Sequence, residues 1–148
     1  NYKNLGFSSY QSEYPFEMTN KKSSTFSPLK TLLFRNAEKN LLILRNIFHE
    51  PIQEKFKTYI IDILSFKVID ILYCTTNSTN YFEINENLIK ENFYLFSENY
   101  LVLPLFISIN KFHVSFEHTQ PPQLIMFKES QIFVKKIKEK IQNEIIKK

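Results

Sequence analysis

LVLPLFISINKFHVSFEHTQPPQLIMF, residues 101–127, is the stretch on which the fold reading turns. Leu101, Leu103, Leu105, Ile107 and Ile109 are apolar at a spacing of two. After Asn110 and Lys111 the alternation resumes, with Phe112, Val114 and Phe116 apolar and His113, Ser115 and Glu117 polar. Period two is the strand pattern, because successive side chains point to opposite faces. Folded across Asn110-Lys111, the two runs set Ile109 opposite Phe112, Ile107 opposite Val114 and Leu105 opposite Phe116. All six lie on one face, which needs cover because a lone hairpin is marginal in water. A slip of one residue would move Phe112, Val114 and Phe116 to the wrong side, so the register is well specified. Residues 124–127 are short and apolar and can add a third strand, making a three-stranded meander. Pro104 has no N–H for a ladder, which puts the first strand at a sheet edge or starts it after that residue. An edge strand can receive a partner's strand, so Pro104 and Phe106 are candidate partner contacts.

Downstream, Ser130 can cap a helix in which Phe133, Ile137, Ile141 and Ile145 recur every four residues as one narrow apolar seam. From residue 128 onward seven lysines face three glutamates, a local +4 equal to the net charge of the whole chain. The basic character therefore belongs to one end. Lys135, Lys136, Lys138 and Lys140 are the candidate anion-binding residues, for nucleic acid or another anionic surface. Nucleic-acid sites usually add accessible aromatics and arginine, and this helix has only Phe133. A solvated lysine face is the plainer reading.

Upstream, Ser27-Pro28 has the form of an N-cap followed by a first helical residue. Leu29, Leu33, Ala37, Leu41, Leu44 and Phe48 then form one helical stripe that ends before Pro51. A second helix is expected over residues 51–73, with Ile52, Phe56, Tyr59, Ile60, Ile63, Leu64, Val68, Ile71 and Leu72 at helical spacing. Asp62, Lys67 and Asp70 interrupt it, so its apolar run falls short of the roughly 20 residues a membrane span needs. Its many β-branched residues keep a strand as the local alternative. Residues 75–80 read as a polar loop and 81–84 as a short strand. Asn85 is placed to cap a helix carrying Leu88, Ile89, Phe93 and Phe96. The expected architecture is thus a two-layer α+β domain over residues 27–148, with an N-terminal helical pair, a short strand and helix, a hairpin or meander, and a C-terminal amphipathic helix. Residues 1–26 form an irregular arm punctuated by aromatics. Tyr10, Tyr14 and Phe16 are its candidate partner-binding residues, docking on the domain or on another protein.

Composition excludes several classes of site. The 148 residues hold 43% hydrophobic side chains, including 15 Phe and 8 Tyr, which rules out wholesale disorder. Gly6 is the one glycine. Phosphate-cradling loops, dinucleotide fingerprints and nucleophile elbows need several glycines where backbone meets ligand. The abundance of Ile, Lys, Asn and Phe fits an AT-rich genome and weakens arguments from lysine count alone. Cys74, the only cysteine, excludes an internal disulfide and fits an intracellular, reducing compartment such as cytoplasm or nucleus. No N-terminal apolar run resembles a signal peptide. Because the chain starts at Asn1 rather than Met, a leader or preceding domain can be missing. Asn77-Ser78-Thr79 matches the glycosylation tripeptide but carries little weight without a secretory signal.

Three constellations carry the enzymatic readings. His113, Glu117 and His118 are close in sequence and offer metal ligands or acid–base groups. In a regular strand, however, His118 points away from the other two. Cys74 closes an apolar segment and reads as a small buried residue. Asp62 and Asp70, two helical turns apart, are too distant to cooperate. No metalloprotease helix, calcium loop or zinc cysteine set is present, and nothing calls for a cofactor. The favoured expectation is a non-enzymatic protein–protein interaction or complex-assembly module. The alternatives are anion binding by the terminal lysines and a small enzyme using the histidine cluster.

Overall fold

The computed structural model describes residues 25–30, 33–97, 99–118 and 128–146, with side chains in the last segment from residue 132 onward. The strands are β1 (Phe26–Pro28), β2 (Lys39–Asn46), β3 (Lys55–Asp62), β4 (Lys67–Thr75), β5 (Thr79–Glu83), β6 (Phe93–Ser97), β7 (Val102–Ile109) and β8 (Val114–His118). A 3₁₀ turn occupies Glu86–Leu88. Helix α1 (Lys128–Ile141) follows the strands and runs into a π-helical turn over Gln142–Ile146.

The strands form two antiparallel four-stranded sheets, in the orders β1-β6-β3-β4 and β5-β2-β7-β8. Leu42, Leu44, Val102 and Phe106 of the second sheet share one buried cluster with Phe56, Ile60, Leu72 and Leu95 of the first. The sheets therefore pack face to face as a sandwich. On the far side of the first sheet, Phe26, Tyr59, Ile61 and Phe96 share a second cluster with Val134 and Ile141 of α1. The first sheet is thus covered on both faces, giving three layers.

This architecture corrects the expected α+β domain. Among the described residues there is no N-terminal helical pair, and over 85–99 the helix capped by Asn85 is only the short 3₁₀ turn Glu86–Leu88; those segments otherwise supply β2, β3, β4 and β6. The cause is visible in β3. Ile60 faces the other sheet and Ile61 faces α1, and both are fully buried. A strand buried on both sides reads as a continuous apolar run, which periodicity alone cannot separate from a helix. In β2, the helical stripe picked out Leu41 and Leu44, which point to opposite faces of the sheet. Ser27 and Pro28 do not begin a helix; they pair with Leu95 and Tyr94 of β6.

The hairpin survives with two changes. Its register is Ile109↔Val114, Ile107↔Phe116 and Leu105↔His118, two residues away from the expected pairing. Val114 and Phe116 still share a face with Ile107 and Ile109, but that face is the outside of the sandwich. Val102, Pro104, Phe106 and Ser108 point inward, and all four are buried. Pro104 and Ser108 made the even positions resemble a solvent face. Ser108 is instead satisfied internally: its hydroxyl donates to the Asn40 side-chain oxygen and accepts from the Phe34 N–H. Strand β7 is also no edge, since it lies between β2 and β8. Pro104 fits there because the described β8 ladder stops at Leu105, so on that side no described strand asks for its missing N–H. The proposed third strand at 124–127 lies outside the described residues.

Polar side chains tie the crossovers. Thr25 Oγ1 donates to the Val102 carbonyl (2.7 Å) and accepts from the Val102 N–H (2.9 Å), linking the start of β1 to β7. The Tyr100 hydroxyl donates to the Glu54 carboxylate, which pushes the phenol up to about 12. Asn77, at φ 49°, holds the β4–β5 turn. Its Oδ1 accepts from the Phe48 N–H (2.8 Å), and its Nδ2 donates to the carbonyls of Glu50 (2.6 Å) and Ile52 (3.1 Å). Both amide hydrogens of the glycosylation tripeptide's asparagine are committed to the fold.

Candidate functional site

Among the described residues, the β7–β8 hairpin groups three exposed apolar side chains, Phe112, Val114 and Phe116, within five positions. The Asn110 N–H donates to the His113 carbonyl (2.8 Å), and the His113 N–H donates back to the Asn110 carbonyl (3.3 Å). Lys111 and Phe112 are therefore the two corner residues of the turn. Neither has a positive φ, so this is not a type I′ turn. Asn110 Oδ1 accepts from the Glu38 N–H (3.0 Å), which fastens the tip to the loop before β2. Phe112 is 80% exposed, with the Lys111 ammonium 5.3 Å from its ring centroid. Val114 is 67% exposed and Phe116 44%. These two lie on the outer face of the second sheet, beside the half-buried Ile107 and Ile109.

The other candidates are distributed as follows. Pro104 and Phe106 sit on the inner face of β7, and Phe106 is fully buried. Tyr10, Tyr14 and Phe16 lie outside the described residues. On α1, Lys135 stands 4.0 Å from Glu139, Lys136 is exposed, and the Lys140 ammonium lies 3.8 Å over the ring of Phe66. Lys138 is half-buried, and burial pushes its ammonium down to about 8.

The residues of the enzymatic readings do not converge. Glu117 pairs with Phe106 and His118 with Leu105, so they occupy opposite faces of β8, while His113 closes the turn. Among the described residues, no three His, Cys, Asp or Glu side chains stand together as metal ligands. Cys74 is buried within the sandwich, where burial pushes its thiol up, partly offset by the Thr58 hydroxyl 3.5 Å away. Asp62 caps the β3–β4 turn. Hydrogen bonds from the Ser65 hydroxyl (2.7 Å) and Asn92 Nδ2 (2.6 Å) hold its carboxyl at about 2. An open polar cleft of about 440 Å³ lies between residues 37–40 and 83–86, where Lys39 and Glu83 pair at 3.0 Å. Its one cation is paired, and it brings no nucleophile or histidine to bear.

Family models, curated proteins and solved structures offer no match to this chain. The hairpin tip must accordingly be read from its own geometry. Sequence reasoning assigned Phe112 to the covered face by folding the chain at Asn110-Lys111. A two-residue turn leaves its corner side chains in solvent, so moving the turn by one residue transfers Phe112 from the strand to the tip. Among the described residues, no helix is long and apolar enough to cross a membrane.

Proposed function

We propose that this chain is a non-enzymatic interaction module that offers the tip of the β7–β8 hairpin to a protein partner. The observation that carries the reading is the grouping of Phe112, Val114 and Phe116 within five residues, all exposed, on a strand pair pinned at its turn. Scattered exposed apolar residues are ordinary. A contiguous group on a rigid element is the feature that marks contact sites, where aromatic anchors supply much of the binding energy. The hairpin is already ordered by its ladder and by Asn110, so binding there costs little additional chain entropy.

The test is affinity purification of the full chain from its native cell, with nuclease present, compared with a Phe112→Ser/Val114→Ser variant. Both positions are exposed, so the variant is expected to melt with the parent. A stoichiometric protein partner retained by the parent and lost by the variant is the expected result. The same partners recovered with both proteins would refute the reading.

A further inference from the structure

We propose that the outer surface of α1, together with the β3–β4 turn beside it, docks on an anionic lipid bilayer. The helix has two distinct apolar sets. Val134, Ile137 and Ile141 pack against the first sheet. Phe133 was expected in that seam but is 64% exposed, and its neighbour Ile132 is 48% exposed. Lys136 follows Ile132 by one turn and Lys140 by two, so apolar and cationic side chains share the outward face. At the Lys140 end the helix meets the β3–β4 turn through the contact between the Lys140 ammonium and the Phe66 ring. That turn also carries Leu64, another exposed apolar side chain. The surface therefore has apolar groups at both ends, separated by about 12 Å of helix with lysines between.

Charge complementarity and side-chain chemistry select the ligand. The excess positive charge of the chain is concentrated from residue 128 onward. Over residues 132–146 the described side chains set Lys135, Lys136, Lys138 and Lys140 against Glu139, which stands beside Lys135, and Glu144, one turn beyond Lys140. Aliphatic and phenyl groups enter the boundary between headgroups and acyl chains, while flexible lysine stems leave the ammonium at phosphate level. A single-stranded nucleic acid would be gripped by stacking faces and planar guanidinium forks. Ile132 and Leu64 offer no stacking face, and α1 contains no arginine.

The full chain is to be co-sedimented with phosphatidylcholine vesicles and with vesicles enriched in phosphatidylserine, at low and high salt. Binding only to the anionic vesicles, weakened by salt, is expected. Lys136→Gln and Lys140→Gln should each lower partitioning about fivefold. Ile132→Ser/Phe133→Ser should lower it at least about tenfold. Melting curves confirm that each variant is folded, and the Phe112→Ser/Val114→Ser variant should bind vesicles like the parent. Failure of the parent to bind anionic vesicles overturns the proposal, as does binding unaffected by either set of helix substitutions. Capture of a single-stranded oligonucleotide or an acidic protein in place of vesicles, lost with the same substitutions, also overturns it and reassigns the surface.

Discussion

Phe106 and Phe112 lie six residues apart in one hairpin and should respond oppositely to truncation. Phe106 is fully buried between the sheets, across the ladder from the equally buried Leu42. Phe106→Ala removes a whole aromatic ring from a closed core and leaves a cavity, which costs about 3–5 kcal/mol. For a domain of this size each kcal/mol lowers the melting temperature by roughly 2–4 °C, so the expected shift is about 6–20 °C. Phe112 stands 80% exposed at the turn, and Phe112→Ala should change stability by no more than about 0.5 kcal/mol. Urea unfolding followed by circular dichroism measures both, and the slope of each transition checks that the same surface is exposed. The opposite ranking, with Phe112 the costly position, would restore the hairpin face expected from sequence and refute the sandwich register. Equal losses at both positions would refute it as well.

Three further outcomes follow from local geometry. Asp62 has its folded carboxyl near 2, below the ordinary value of 3.8, so its contribution to stability is present above about pH 4 and is lost as pH falls toward 2. Asp62→Asn should flatten the acid limb of the stability–pH curve in that window; an unchanged limb would contradict the capping role. Asn77→Ala removes three hydrogen bonds and leaves a Cβ residue at φ 49°, an expected loss of about 2–4 kcal/mol by urea unfolding. Asn77→Gly should lose less, because glycine accepts that backbone conformation. Cys74 should resist a thiol-specific chromogenic reagent in the native protein and react on unfolding, whereas rapid native labelling would show that it is not enclosed.

How much of this was legible in the sequence depends on how each segment is covered. Helix α1 carries a four-residue period over a single covered face, and it was readable, although the seam runs through Val134 rather than Phe133. The pairing of β7 with β8 was readable from alternation. Which side faced inward was not, because both faces of β7 are largely apolar and the inner one includes Pro104 and Ser108. Strands β3 and β6 were hidden by being covered on both sides. Turn punctuation was also missing. With one glycine in the chain, Phe66, Asn77 and Asn99 take positive φ values at turns among the described residues, and a phenylalanine in that role gives no sequence signal. The exposed hairpin tip followed from a turn displaced by one residue, which composition could not reveal.

Site-specific photo-cross-linking tests the central functional claim most directly. A benzophenone side chain placed at Phe112 is compared with the same group at Tyr73, which is 67% exposed on a strand of the other sheet. In native cells, position 112 should yield one discrete protein adduct that position 73 does not. No adduct at 112, or the same adducts from both positions, would contradict the assignment of the hairpin tip as the protein-contact surface.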